Sequence, residues 1–381
     1  MIFSEFSGNS LVKEQLLELY NSNRMPHALL LNGPEGSGHF QIGLSLAALL
    51  LCQSPNQSNS CGNCSSCKKI ASFHHPDLHF SFPIHLSKTE HNETSDDLRS
   101  VFVEMLIKFK CIGRNNWYNL MGNPNKQGVI GVKESQAVLK KINLKAYEGG
   151  AKVLIIWLAE MMNNQAANKL LKLIEEPPDK TYFIFITDQK EKLLPTISSR
   201  LQHLDISALN SDEIENYLVN QFQIEKKKAS EYAMHANGNL NRAINLHLDS
   251  EYLNQKLPVF IQWMRLCYTR NIADTIDWVN DFSKTGREQI KDFFSYSLEL
   301  FRQCVLGHYS IDKKGLSIEE KNFLEKFSPF INHNNIEELH EVLNEAYYHM
   351  ERNANSKILL LDVSLKLFKL LKNANPTQKG N

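Results

Sequence analysis

Cys52, Cys61, Cys64 and Cys67 follow one another as C-x8-C-x2-C-x2-C in the turn-rich stretch CQSPNQSNSCGNCSSC. Closely spaced thiolates of this kind can close tetrahedrally around zinc, and four protein ligands leave no open position for catalysis, so the expected ion is a structural Zn2+. Free thiols packed in a core and a redox pair are the competing readings. The segment is too polar to be core, which weighs against the first. His74, His75 and His79 lie close by in sequence, but four thiolates already complete the shell. Cys111, Cys267 and Cys304 are isolated, and buried apolar side chains are expected there.

A second group of residues is almost a phosphate-binding loop. NGPEGSGHF, Asn32 to Phe40, follows the apolar run HALLL. A full phosphate loop reads G-x-x-x-x-G-K-[ST]: backbone N–H groups cradle phosphate, the lysine reaches the β- and γ-phosphates, and the hydroxyl holds magnesium. Gly33 and Gly38 keep that spacing with Gly36 between them, but His39 replaces the lysine and Phe40 the hydroxyl residue. The later run VLIIWLAE tests the same chemistry independently. The places where a magnesium-binding acid and its neighbour belong hold Trp157 and Leu158, with Glu160 only beyond them. Two separate parts of an ATP site are thus absent together. Taken alone the loop could equally be a plain strand-to-helix turn, and occupancy by any nucleotide is open at this level.

These residues need elements to carry them. SLVKEQLLELY has apolar Val12, Leu16 and Leu19 at helical spacing behind Ser10 as its cap. HALLLN, KVLIIWL (Lys152 to Leu158) and TYFIFIT read as buried strands, and FQIGLSLAALLL, VKESQAVLKKINL and Asn163 to Glu176 as helices, the last stopped by Pro177 and Pro178. Strands alternating with helices predict a largely parallel sheet covered on both faces. Between them HLSKTEHNETSDD reads as an exposed loop, residues 98–109 as a helix and GRNNWYNLMGNPNKQG as a loop. After Asp205 no buried strand is evident. A compact helical set broken at Gly238 comes first, then amphipathic helices such as Pro258 to Tyr268, Gln289 to Leu306 and Ile336 to Tyr348, with the last long helix ending near Lys372.

The predicted organisation is an α/β domain over residues 1–205, with the cysteine excursion at 52–67 and an insertion near 85–128. A small helical lid over 206–249, a helical oligomerisation domain over 250–372 and a flexible tail over 373–381 follow. At 381 residues and 42% hydrophobic content the chain can bury such cores. Lysine plus arginine equals aspartate plus glutamate at 42 each, so no global field draws it to nucleic acid or an anionic membrane. EKKK, Glu225 to Lys228, reads as a solvated helix face. The start MIFSEFSGNS lacks the features of a signal peptide and no apolar run approaches the ~20 residues of a membrane span. A cytoplasmic protein is expected.

With these stretches assembled, the sequence resembles the delta-prime family of bacterial DNA polymerase III clamp-loader subunits, within AAA+. NSNRMPHALLLNGPEGSGH resembles the family's opening. NQAANKLLKLIEEPPDKTYFIFITDQKEKLLPTISSRLQ, Asn164 to Gln202, is its most specific match, and GNLNRAINL and ERNANSKILLL extend the likeness over nearly the whole chain. The insertion departs from the pattern. The resemblance implies an AAA+-like α/β domain with a zinc module, a lid and an all-α collar. It also implies partnership with gamma/tau ATPase subunits and a delta subunit, and through them with the sliding clamp and primed DNA. In the family, the arginine of a Ser-Arg-Cys motif reaches ATP held by a neighbour; here the motif reads Ser199-Arg200-Leu201. A permanently charged guanidinium suits that role, and an ordinary surface ion pair is its alternative. Thr187 falls at the first sensor position, and the second sensor arginine falls near Asn241, with Arg242 beside it. The functional reading is a subunit that hydrolyses no ATP itself and lends Arg200 to an adjacent site. An active gamma/tau-like ATPase with an unusual loop, which a nucleotide titration would separate, and a stand-alone zinc nucleic-acid binder, which salt-dependent DNA binding would reveal, are the competing readings.

Overall fold

A computed structural model describes the chain apart from residues 1–2, 4–5, 7, 57–58, 86–92, 123–125, 149, 249, 309–315, 353 and 373–381. The central part of the expected loop HLSKTEHNETSDD and the expected tail lie outside the described residues. The chain divides into two compact units, Met1–Ala229 with Ala236–Ile244, and Ser230–His235 with Asn245–Asn381.

Along the first unit run α1 (Ser10–Asn21), β1 (Ala28–Asn32), α2 (His39–Leu51), α3 (Ser65–Ala71), β2 (Leu78–Ser81), α4 (Arg99–Phe109), α5 (Arg114–Leu120) and α6 (Val132–Asn143). They are followed by β3 (Lys152–Trp157), α7 (Asn164–Glu175), β4 (Thr181–Thr187), α8 (Pro195–Ser198), β5 (Gln202–Asp205) and α9 (Ser211–Phe222). Helices α10 (Lys226–Ala236) and α11 (Leu240–Leu248) contribute to both units. Among the described residues five strands, all parallel, form one sheet in the order β2-β3-β4-β1-β5, with Leu30 paired to Phe185 on one side and His203 on the other. Every residue of β3 is buried, as a central strand covered on both faces requires.

Three local expectations change. The stretch read as the loop GRNNWYNLMGNPNKQG contains α5, whose Trp117 and Tyr118 are buried and whose Trp117 Nε1 donates to Pro83 O at 2.7 Å. One apolar pair is too short to display a helical period, and tertiary burial decides the matter. Asn9, not Ser10, precedes α1 as its cap; its φ is 50° and its amide nitrogen donates to Ser37 O and Ser207 O. Helix α12 (Ser250–Thr269) starts well before Pro258 and runs through it.

The insertion is therefore part of the core on one sheet face. Phe82 stacks on Phe102 of α4 at 4.0 Å and meets Trp117 edge-on at 5.0 Å, while Phe40 of α2 sits 6.3 Å from Trp157. These rings are all at most 1% exposed and account for why Phe40 and Trp157 are aromatic. On the opposite face α6 and α7 cover the sheet with Val138, Ile142, Ala166, Leu170 and Ile174 against Phe183 and Phe185.

The second unit is helical: α12, α13 (Ile272–Phe282), α14 (Arg287–His308), α15 (Ile318–Phe327), α16 (Ile336–Glu351) and α17 (Ser356–Leu370). Phe260, Trp263, Tyr296, Leu324 and Leu343 lie in its core, and Trp263 Nε1 donates to Ser364 Oγ at 2.9 Å. Cys267 and Cys304 are fully buried here, and Cys111 is 2% exposed in the first unit. No described helix in either unit is long and apolar enough to cross a membrane.

Candidate functional site

Strand β1 ends at Asn32, and the chain turns through Gly33–Gly38 into α2. Gly36 (φ 79°) and Gly38 (φ 84°) are left-handed, and close approach also excludes a side chain. A Cβ on Gly36 would stand 2.1 Å from Asn239 Oδ1 and one on Gly38 1.8 Å from Phe6 Cζ. Leu240 N donates to Gly36 O at 3.0 Å. The loop is thus overlaid by its own chain, from the N-terminal segment on one side and the residues before α11 on the other.

His39 opens α2, is 3% exposed and hydrogen-bonds through Nε2 to Asp188 Oδ1 at 2.8 Å, just past β4. Trp157 and Leu158 occupy the end of β3 without an acid. Leu158, however, takes a left-handed φ of 54°, and the tight turn behind it returns Glu160 to the strand end. The Glu160 side chain is wholly buried; its Oε1 accepts from Arg114 Nη2 at 2.7 Å and its Oε2 from Thr187 Oγ1 at 2.7 Å. The same Arg114 nitrogen lies 3.3 Å from Asp188 Oδ2, and Arg114 N donates to Glu35 Oε1 at 3.2 Å. Burial, then the charge of Asp188, push the Glu160 carboxyl above its ordinary range, opposed by Arg114 and the Thr187 hydroxyl.

All four oxygens of the two carboxylates already accept a hydrogen bond, and the cation among them is Arg114, carried by α5 of the insertion. The positive charge that faces Glu160 and Asp188 is thus the guanidinium of the chain's own Arg114. Asn241 is tied to the same insertion, its Nδ2 donating to Ile112 O at 2.9 Å, while Arg242 N donates to Asn239 Oδ1 at 3.1 Å.

Arg200 follows α8 and is about one-third exposed. Its Nε donates to Glu175 Oε1 at 2.5 Å, and its Nη1 donates to Thr196 O at 2.8 Å and to Ser199 Oγ at 3.4 Å. Ser199 thereby touches the guanidinium itself.

The four cysteines come together where α2 ends and α3 begins, with Cys67 in the first turn of α3. Their sulfur atoms all lie within 4.8 Å of one another, the Cys52–Cys64, Cys61–Cys67 and Cys52–Cys67 pairs being 3.9, 3.9 and 3.6 Å apart, far beyond a disulfide bond. Cys61 N donates to Cys52 Sγ, Cys64 N to Cys61 Sγ and Cys67 N to Cys64 Sγ. Backbone N–H groups of Asn63 and Cys64 bring the Cys61 thiol down to about 6, whereas burial lifts Cys67 to about 12. This set could hold a metal ion. His75 bonds to Ser66 Oγ instead, and no histidine joins the sulfur cluster among the described residues.

Residues 8–210, more than half of the chain, match the family described as DNA polymerase III, delta subunit. The chain belongs to that family. DNA polymerase III subunit delta' of Yersinia pestis is 32% identical over 188 residues, covering 49% of this chain and 43% of that protein. The Bacillus subtilis subunit delta' is 29% identical over 254 residues, 66% of this chain and 64% of that protein. The matched segments thus span about two fifths to just under two thirds of these relatives. The solved structure of a DNA polymerase III gamma subunit-related protein from Thermotoga maritima aligns with 94% of this chain and 99% of its own, at 16% identity and a TM-score of 0.39.

The family match takes in the loop, the cysteine cluster and Arg200, and also the insertion that carries Arg114. Sequence reasoning passes over Arg114, Asp188 and Glu35. The one signal it offers is that Arg114 stands three and four residues before the aromatic pair Trp117 and Tyr118 in a segment otherwise rich in asparagine and glycine.

Proposed function

We propose that this delta-family chain is a non-hydrolysing subunit of the DNA polymerase III clamp-loader complex. It assists ATP-dependent loading of the sliding clamp onto primed DNA beside gamma/tau ATPases and a delta subunit. The observation that carries the non-hydrolysing part is the Arg114–Glu160–Asp188–His39 network, in which no carboxylate oxygen is left without a hydrogen bond. Without a lysine at His39 or a hydroxyl at Phe40, that site has neither the phosphate contact nor the metal ligand that hydrolysis uses.

Arg200 is proposed to act in trans, as an arginine finger on ATP bound by an adjacent subunit. Its family motif, its position after α8 and its partial exposure support this reading. The helices of the second unit are proposed to join a collar with partner subunits. At the cysteines the fitting ion is Zn2+, since zinc–sulfur bonds of about 2.3 Å in a tetrahedron separate sulfurs by about 3.8 Å. Three of the six sulfur pairs, at 3.6 to 3.9 Å, agree, and all lie within 4.8 Å. Bound there, the ion would tie the excursion between α2 and α3 and perform no chemistry.

The test has two arms. The isolated chain is expected to show no magnesium-dependent ATP turnover, and robust turnover would overturn the reading. In a complex assembled with gamma/tau and delta subunits, Arg200→Ala is expected to lower the DNA- and clamp-stimulated rate by at least about tenfold, since such arginines contribute roughly 10³ to 10⁵ in rate. A wild-type rate in that complex would remove the finger.

A further inference from the structure

We infer that Glu175 is a positioning residue for Arg200, setting the plane in which its guanidinium is presented; this rests on the reading of Arg200 as acting on a neighbour's ATP. Glu175 is the last residue of α7, and Pro177 and Pro178 prevent the helix from continuing. Its half-exposed carboxylate is therefore presented from the end of that helix. There it accepts from Arg200 Nε at 2.5 Å, while Thr196 O from α8 accepts from Nη1 at 2.8 Å.

Two anchors on different helices define the orientation of a planar group. They also leave one nitrogen free. A guanidinium has five N–H donors; Nε and Nη1 face Glu175, Thr196 and Ser199, and Nη2 makes no hydrogen bond to the described residues. The uncommitted Nη2 pair is the part able to meet a phosphoryl oxygen. The long arginine stem would otherwise sample many rotamers, because each aliphatic torsion has roughly three wells.

Cutting the Glu175 anchor frees the last torsions before the guanidinium. If one or two of them spread over roughly three wells each, the competent fraction falls about three- to ninefold. Binding of ATP to the neighbouring subunit does not depend on that fraction, so the loss belongs in kcat and not in KM.

The experiment uses the assembled complex with ATP, sliding clamp and primed DNA, comparing wild type, Glu175→Ala, Glu175→Gln, Arg200→Ala and the double variant Glu175→Ala/Arg200→Ala. Expected results are an about three- to ninefold fall in kcat for Glu175→Ala with KM for ATP unchanged, substantial recovery in Glu175→Gln, which keeps an acceptor, and no added loss in the double variant. A Glu175→Ala complex as fast as wild type or faster, alongside a slow Arg200→Ala complex, would overturn the positioning role and leave the finger standing. An added loss in the double variant would overturn it too, because Glu175 would then act without Arg200. A wild-type rate for Arg200→Ala would instead fell the underlying reading, and Glu175 with it. Co-elution of each variant with its partners shows that assembly is intact.

Discussion

Arg114→Met retains the aliphatic stem of the side chain and removes its charge, which isolates what the guanidinium does. The substitution leaves Glu160, with no exposed side-chain surface, and Asp188, 9% exposed, next to each other without a cation. Removing one partner of a buried pair costs about 3–5 kcal/mol. Arg114 is itself 19% exposed, so water relieves part of this, and about 2–4 kcal/mol is expected at neutral pH. Glu160 can escape by taking a proton. Its carboxyl already titrates above the ordinary 4.5 in the folded chain, and losing Arg114 moves it further up. Above about pH 4.5 the folded variant then binds more protons than the unfolded chain, so its stability falls as pH rises. The deficit relative to wild type should therefore be smaller near about pH 5 than near about pH 8. Whole-chain fluorescence would mix Trp117 and Trp157 with Trp263 and Trp278 of the other unit. Urea unfolding is better followed by hydrogen exchange in peptides around Trp117 and Trp157. Adding Glu160→Gln and Asp188→Asn should restore much of the loss. A single variant within about 0.5 kcal/mol of wild type at both pH values would refute the reasoning.

Protein purified without chelator is expected to carry about one zinc per chain at the four cysteines, by elemental analysis, and metal-free protein would contradict the assignment. Stripping the metal should accelerate hydrogen exchange across Cys52 to Ala71 while β3 and β4 stay protected. In the second unit, burial is the largest influence on Glu320 and pushes its carboxyl up. Bonds from His235, Ser317 N and Tyr296 OH outweigh it together and bring the carboxyl down to about 2. That stabilisation is present above the unfolded value of 4.5 and lost as pH falls from there towards 2, an effect of about 1–3 kcal/mol. Melting curves of Glu320→Gln should therefore lack this part of the acid loss; an unchanged acid limb would count against it.

Long apolar runs make the centre of the sheet readable from residue order alone: β1, β3 and β4 are uninterrupted buried segments flanked by helix signals. The edge strands β2 and β5 are not readable in that way, because four residues with exposed Gln202 and Asp205 in one of them have too little period to stand out. The cysteine spacing leads directly to a converged cluster. The nucleotide-like site is half legible. His39, Phe40 and Trp157 announce what is missing, but counting along β3 cannot foresee that a left-handed Leu158 folds Glu160 back. Nor can it foresee that a partner from 46 positions earlier meets it. Contacts between distant segments, made by single polar residues, leave no periodic trace.

Arg114 has a further consequence for what the charge balance of this site can respond to. A cation fixed to the chain has an effective concentration set by geometry, not by solution. The charge balance at Glu160 and Asp188 should thus be indifferent to chelators, to free magnesium and to the cell's energy state. The thiol cluster some tens of residues away is instead suited to an ion that solution would supply or withdraw. One unit thus contains a resident cation and a site suited to a borrowed one, and only the second would respond to scarcity.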